Sequence, residues 1–136
     1  MEIRELTSET ARHEAVPILR QLWIDTDPTD VLEWTGDEAY HLFGRFDEQT
    51  LVGVAGVRLE GVLHHARHAW LSDLVVDDAR RGEGHGTALL EFVEEWARDH
   101  DCTSIALASP LEKHDVHEYY EHLEYERWGY VLERAL

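Results

Sequence analysis

One continuous segment, residues 74–90, limits the folds open to this chain more than any other. It begins with the apolar run Leu74-Val75-Val76, passes through a polar turn, and ends in a helical pattern that keeps one face apolar as far as Ala97. Three glycines at every second position separate strand from helix, and two arginines precede them. A helix that begins at such a turn presents unpaired N–H groups and the positive end of its dipole to the loop. The segment therefore predicts an anion-binding loop at a helix N-terminus.

Length and hydropathy indicate one soluble domain. The chain has 136 residues, which suits a single domain over 1–136. No apolar run approaches the roughly 20 residues of a membrane-spanning helix. The first residues, Met-Glu-Ile-Arg-Glu-Leu, lack the basic and apolar regions of a secretory signal. These features predict a cytoplasmic protein.

The charge of the chain is strongly negative. There are 29 acidic and 12 basic residues, a formal net charge of −17, and Lys113 is the only lysine. Such a chain repels nucleic acid and anionic membranes, so neither is expected as a partner. The acidity resembles that of proteins from halophilic archaea, in which concentrated salt screens the self-repulsion. The alternative is an acidic surface that attracts a cationic substrate.

The spacing of apolar residues predicts a mixed fold with one central sheet. A short strand over 2–6 precedes a helix for which Ser8 is the expected N-cap and Pro17 the expected kink, and a second helix is expected from about Val31. From residue 39 to 76 the period is that of strands with short reversals, which favours an antiparallel meander. The remaining elements are expected over 103–109 (strand), 113–122 (helix) and 125–135 (two strands). Strands 68–76 and 103–109 should be parallel, since the glycine-loop helix joins them.

This order of elements resembles the GCN5-related N-acetyltransferase (GNAT) family over essentially the whole chain. The family's loop has Gln or Arg, two residues, Gly, one residue, and Gly or Ala, which Arg81-Gly82-Glu83-Gly84-His85-Gly86 fits. Tyr119-Tyr120 is similar to the aromatic pair of the family's late helix, although Val116 and Glu124 replace a usual small residue and a usual glycine. The resemblance implies an α/β (α+β) GNAT fold with six to seven strands and about four helices, in which a parallel strand pair flanks the glycine-loop helix.

The resemblance also implies acetyl-CoA as the cofactor and an amine as the acceptor. Backbone N–H groups of the loop would bind the pyrophosphate, and the edge of strand 74–76 would pair with the pantetheine arm. Two arginines would offset the negative charge of the chain, unless Arg80 only pairs with Asp77 or Asp78. The predicted cofactor-binding residues are Leu74, Val75, Val76, Arg80, Arg81, Gly82, Glu83, Gly84, His85, Gly86 and Thr87.

Direct acetyl transfer to an amine needs a base, an oxyanion donor and an acid. An amine near pH 7 is mostly protonated, so a group must remove its proton. The resemblance implies Asp73 as the first candidate, because the family often carries an acidic base on the strand before the loop; Glu60, at the end of the preceding strand, is the second. A salt-bridged or solvated side chain is the alternative for each. The resemblance implies a backbone N–H near Val75 as oxyanion donor and Tyr120 as general acid toward the CoA thiolate; a core tyrosine is the alternative.

Other interpretations carry less weight. His64, His65 and His68 form a tract without a nearby cysteine, so no metal site is expected. The tryptophans are expected in the core, except that Trp34 lies in the region that lines the acceptor pocket in this family. Two other functions remain open: a catalytically silent acyl-CoA-binding or sensing domain, and a CoA-independent interaction module. The sequence does not identify the acceptor, and the resemblance allows a homodimer.

Overall fold

A computed structural model describes residues 1–63 and 66–136 of the chain. Within these residues the strands form one sheet in the order β1-β2-β3-β4-β5. The elements in chain order are β1 (Glu2–Glu5), α1 (Glu9–Leu22), α2 (Pro28–Thr35), β2 (Tyr40–Asp47), β3 (Thr50–Val62), β4 (Ala66–Val76), a 3-10 turn (Asp78–Arg80), α3 (His85–Asp99), β5 (Ser104–Ala106) and α4 (His114–His122).

The sheet confirms the predicted mixture of strand directions. Strands β1 to β4 pair as successive antiparallel neighbours, which is the expected meander. Strand β5 lies parallel to β4, because α3 carries the chain back across the sheet between them. The parallel pairing is short: it joins only 68–70 to 104–106. The rest of β4, which leads into the glycine loop, has β3 as its sheet neighbour.

Helices α1 and α2 pack on one face of the sheet. The Ser8 hydroxyl accepts a hydrogen bond from the Ala11 N–H, so the predicted N-cap of α1 is confirmed. Pro17 lies inside α1 without ending it. The second helix begins three residues earlier than predicted, because the Asp27 side chain caps it and Pro28 suits its first turn. The core on this face includes Ala15, Ile18, Leu19, Val31, Tyr40, Leu42, Phe46, Val54 and Val75.

Helix α3 covers residues that point to the other face. The ring of Phe43 on β2 lies 5.3 Å from the rings of both Phe92 and Trp96, measured between centroids. The apolar stripe predicted from the sequence is buried in this helix, with Leu89, Leu90, Val93 and Ala97 at most 3% exposed. Because both faces of the sheet are covered, the central strands read as nearly continuous apolar runs.

A β-bulge in β4 decides which way its side chains point. Gly56 on β3 faces Asp73, and the next residue, Val57, faces Leu71, so Ser72 is an extra residue in β4. Neighbouring residues of a strand point to opposite faces of the sheet, and two residues paired across a ladder point to the same face. Leu71 therefore points to the α3 face, whereas Asp73 points to the α1 and α2 face.

The chain divides into two compact units, residues 1–106 and 107–136. The second unit contains α4, and no strand is present among the described residues after Ala106. The prediction of six to seven strands is therefore wrong: the described residues form five. The alternating pattern over 125–135 suggested strands, but a strand needs a partner, and Trp128, Tyr130 and Leu132 are 68%, 80% and 92% exposed.

The turn after α4 reproduces the backbone conformation of a glycine without the glycine. Glu124 has φ +70°, a left-handed value that favours glycine. Its N–H donates to the Glu121 carbonyl, and the Tyr125 N–H donates to the Tyr120 carbonyl. Among the described residues, no helix is long and apolar enough to cross a membrane.

Candidate active site

The glycine loop forms an open turn at the N-terminus of α3. Gly82 and Gly84 have φ +80° and +87°, and no other atom lies within 4 Å of the position that a Cβ would take at either. The first hydrogen bond of the helix runs from the Ala88 N–H to the Gly84 carbonyl. The N–H groups of the three residues before Ala88 thus belong to the helix's first turn, where the dipole attracts anions. A phosphate can approach this backbone closely.

Both arginines of the loop pair with carboxylates. Arg80 donates through Nη2 to Asp47 and through Nε to Glu83 at 2.9 Å. Its partners are therefore neither of the two aspartates considered from the sequence. The contact with Arg80 lowers the pKa of the Asp47 carboxyl and links the loop to the C-terminal end of β2. Arg81 pairs with Asp78 at 2.8 Å, and its side chain is 58% exposed.

A buried histidine stabilises the loop through two hydrogen bonds. His85 is 2% exposed, and its Nδ1 accepts a hydrogen bond from Arg45 Nε at 2.9 Å. The proton is then on Nε2, which lies 2.9 Å from a Glu83 oxygen and donates to it. This bond and the Arg80 contact hold the pKa of Glu83 below its ordinary value. The side chains of Glu83 and His85 therefore fix the conformation of the loop.

The edge of β4 beside the loop offers backbone groups in strand geometry. The Asp77 N–H donates to the Val52 carbonyl, so these two residues are a hydrogen-bonded pair. Val75 lies opposite Val54, two residues away on each strand. Bonded and non-bonded pairs alternate in an antiparallel ladder, so Val75 directs its N–H and C=O to β3. Leu74 and Val76 direct theirs to the other edge. Arg81 Nε donates to the Val76 carbonyl at 3.2 Å, as this geometry requires.

Asp73 is the buried carboxylate of the first unit, at 5% exposure. One oxygen accepts a hydrogen bond from the Tyr40 hydroxyl at 2.6 Å, and the other accepts from the Trp23 indole N–H at 2.5 Å. Burial raises the pKa of Asp73 above its ordinary value, and the two hydrogen bonds oppose that shift. A carboxylate with a raised pKa that two donors orient has the properties of a general base.

The hydrogen bond between Tyr40 and Asp73 requires a glycine at position 56. A Cβ on Gly56 would lie 1.8 Å from the Tyr40 hydroxyl oxygen, so the tyrosine occupies the space above this glycine. Tyr40 starts on β2, crosses β3 at Gly56 and reaches Asp73 on β4. Burial next to Asp73 raises the pKa of the Tyr40 phenol, which remains a donor. Sequence reasoning missed Tyr40, Trp23 and Gly56.

Glu60, the second predicted base, lies in a different environment. Its side chain is 47% exposed and contacts Arg58, with 3.5 Å between Oε1 and Nε. Arg58 also approaches Asp37 and lies over the Trp34 ring at 5.2 Å. Glu60 is thus part of a surface ion pair, the alternative that the sequence left open for both carboxylates.

A cavity of about 320 Å³ adjoins Asp73 on the α1 and α2 face. Arg20 holds the loop on its rim by donating to the Thr26 carbonyl at 2.9 Å. Trp23 and Trp34, about half exposed, form two of its walls. The location of Trp34 agrees with the pocket expected there, whereas Trp23 is not the core residue that was predicted. The cavity is lined by Leu19, Trp23, Thr26, Asp30, Val31, Trp34, Ser72 and Asp73.

Tyr120, the predicted general acid, lies on α4 in the second unit. Its ring centroid is 5.2 Å from that of Tyr119 and 5.3 Å from that of Tyr125. Burial raises the pKa of the phenol above its ordinary value, so it stays protonated at neutral pH. A protonated phenol can donate to a thiolate.

No group of three or more histidine, cysteine, aspartate or glutamate side chains among the described residues could hold a metal ion. Two members of the predicted tract, His64 and His65, lie outside the described residues. His68 is buried on β4, where its Nδ1 lies 3.4 Å from the Ala66 carbonyl.

The fold and the glycine loop define an acetyltransferase of a known class. The sequence model of the Acetyltransferase (GNAT) family matches residues 3–125, and the chain belongs to this family. It is 27% identical over 138 residues to the uncharacterized N-acetyltransferase YhdJ of Bacillus subtilis (strain 168), covering 98% of this chain and 94% of that protein.

Two solved structures share the fold at low identity. One is a ribosomal-protein-alanine N-acetyltransferase from Brucella melitensis biovar Abortus 2308, with a TM-score of 0.83, 20% identity and 98% of each chain covered. The other is AAC(6')-Iy in complex with the bisubstrate analog CoA-S-monomethyl-acetylneamine. It has a TM-score of 0.85 and 16% identity, over 99% of this chain and 97% of that one.

Proposed function

We propose that this protein transfers the acetyl group of acetyl-CoA directly to a primary amine. The observation that carries the proposal is one continuous segment, residues 73–88, which joins a buried, oriented carboxylate to an anion-binding helix N-terminus. An enzyme that transfers an acyl group from a phosphate-bearing thioester to an amine needs an anion-binding site for the thioester and a base for the amine. The CoA complex of the structural relative AAC(6')-Iy supports the same donor.

The loop fits a pyrophosphate in charge and in shape. Three nearby carboxylates, Asp47, Asp78 and Glu83, each pair with an arginine, which limits their repulsion of an anion. The two left-handed glycines leave space over the backbone, and the first turn of α3 supplies N–H donors. The pantetheine arm would pair with the outward backbone groups of Leu74 and Val76.

In the proposed reaction, the amine nitrogen forms a bond to the thioester carbonyl carbon and the bond from that carbon to sulfur then breaks. Asp73 accepts the proton that the amine loses, directly or through water. The N–H of Leu74 or Val76, on either side of Val75, stabilises the oxyanion, because these are the donors that β3 does not use. Tyr120 gives its proton to the departing thiolate.

The proposal is tested by thiol release from acetyl-CoA in the presence of a panel of amines. Asp73→Asn should lower kcat by roughly 10²–10⁴-fold, because the general base is lost while the volume is kept. Tyr120→Phe should lower kcat while the thermal shift with acetyl-CoA is unchanged.

Two results would separate the other functions. A thermal shift with acetyl-CoA but no amine-dependent thiol release would indicate a silent binding domain. No thermal shift at all would indicate a CoA-independent module.

We propose further that the acidic composition is an adaptation to high salt, as in halophilic proteins. The net charge of −17 leaves a large self-repulsion that concentrated salt screens within a few Å. The melting temperature should therefore rise from dilute buffer to molar KCl. A melting temperature that does not depend on salt would contradict this.

A further inference from the structure

The cavity beside Asp73 combines apolar walls with negative charge. Its largest wall groups are the indole rings of Trp23 and Trp34, and Leu19 and Val31 add aliphatic surface. Among the described residues that line it, the two ionisable ones, Asp30 and Asp73, are both acidic and none is basic. A ligand that suits these walls has one cationic end and an apolar body.

The two tryptophans connect to the same carboxylate. Trp23 donates to Asp73 directly, while the ring of Trp34 lies 5.5 Å from that of Tyr40, measured between centroids, and the Tyr40 hydroxyl donates to Asp73. The aromatic walls are therefore held in a fixed relation to the group that would receive the proton of the amine.

The size of the cavity limits the body of the ligand. A volume of about 320 Å³ equals that of about ten water molecules, and it lies at the lower end of small-molecule pockets. A single ring on a short chain fits this space. A many-ringed amine would exceed it, and the hydroxyl groups of a polyhydroxylated amine would lose water without enough polar partners on these walls.

We infer that this cavity binds the acceptor, and that the acceptor is a small primary amine carried on an aromatic or aliphatic body. The inference rests on the proposed acetyl transfer and adds the class of substrate. The ammonium end would lie toward Asp73 and the apolar body between Trp23 and Trp34. Asp30, in the first turn of α2, would add attraction for the positive charge at the entrance.

The test measures thiol release at saturating acetyl-CoA with 2-phenylethylamine, hexylamine, 1,4-diaminobutane and glucosamine. We expect higher kcat/KM for the first two amines than for the last two. Trp34→Leu should raise the KM for 2-phenylethylamine by about tenfold, since half of the aromatic wall is lost, and should leave the KM for acetyl-CoA unchanged.

A pair of matched variants tests the contribution of the Asp30 charge to amine binding. Asp30→Asn should raise the KM for 2-phenylethylamine a few-fold. Asp25→Asn should not, because Asp25 is an exposed aspartate between α1 and α2 that lies outside the cavity lining. If 1,4-diaminobutane or glucosamine is the better substrate and Trp34→Leu leaves all KM values unchanged, the inference is overturned while acetyl transfer stands. If no amine of any class releases thiol, the proposed function itself fails.

Discussion

The glycine loop after β4 and the site around Asp73, three residues before the end of this strand, are formed in different ways. At the C-terminal end, the loop over 81–87 is contiguous, and it acts through backbone N–H groups that two left-handed glycines leave accessible. Around Asp73, the site consists of side chains from α1, α2, β2 and β4 that only the fold brings together. A backbone site can be encoded in a short motif, whereas a side-chain site depends on positions spread over half of the chain.

The largest expected effect comes from closing the space above Gly56. Gly56→Ala places a methyl group 1.8 Å from the Tyr40 oxygen, so the ring must move and its bond to Asp73 is lost. We expect a loss of about 3 kcal/mol in the free energy of unfolding, from overpacking together with a buried polar group left unpaired. Urea denaturation measures this.

Gly61→Ala is the matched control, because no atom of the described residues lies closer than 3.9 Å to the added Cβ. The acetyl-CoA KM of a folded Gly56→Ala protein should stay at the wild-type value. A change in that KM larger than the change in amine KM would show that the glycine loop and the Asp73 site are not separate sites.

A smaller effect is expected from removing one hydrogen bond to the base. The pKa of Asp73 is raised above 3.8 by burial, so activity should fall as the pH drops through a value higher than 3.8. The Tyr40 bond favours the ionised form, and Tyr40→Phe should move this acidic limb up by about one pH unit, or ~1.4 kcal/mol. The pH profile of kcat/KM measures the shift.

Stability should respond to pH in the opposite sense to activity. The folded state binds the Asp73 proton more tightly than the unfolded state, so the contribution of this group to stability falls as the pH rises from 3.8 to the raised pKa.

The control for the pH profile of kcat/KM is Tyr130→Phe, at a tyrosine that is 80% exposed, which should leave the acidic limb in place. An acidic limb that stays fixed in Tyr40→Phe would remove Asp73 from the role of base.

The smallest of the three effects concerns the glycine loop. Gly84→Ala forces a non-glycine residue into φ +87° and should cost about 1 kcal/mol of stability. Because the loop backbone shifts, the KM for acetyl-CoA should rise and the KM for the amine should not. Gly129→Ala, where nothing lies within 4 Å of the added Cβ, is the control. Equal changes in both KM values would contradict a loop that serves the donor alone.

The sequence predicts local features of the fold well and partner-dependent features poorly. The Ser8 cap, the meander and the parallel β4 and β5 pair were predicted correctly, because capping chemistry and apolar period are local signals. The two strands expected within 125–135 are absent from the structure, because alternation permits a strand but does not supply its neighbour.

The same contrast between local and partner-dependent features applies to the candidate site. The glycine loop was predicted from consecutive residues. The partners of Asp73 were not, since Tyr40 and Trp23 are 33 and 50 residues away in the sequence. The bulge at Ser72, which turns Asp73 toward them, has no sequence signal in this strand. The partner of Arg80 was missed for a related reason: Arg80 pairs with neither Asp77 nor Asp78 but with Asp47, the last residue of β2 and 33 residues earlier.

The contact between Tyr40 and Gly56 has a consequence for how relatives of this protein diverge. Since the phenol fills the volume in which a side chain at Gly56 would lie, neither position can change alone without disturbing Asp73. In lineages that inherit this carboxylate network, tyrosine and glycine at these two positions should be gained and lost together. Acetyltransferases with a larger residue at the second position should have a different partner for the base and, with it, a differently shaped acceptor pocket.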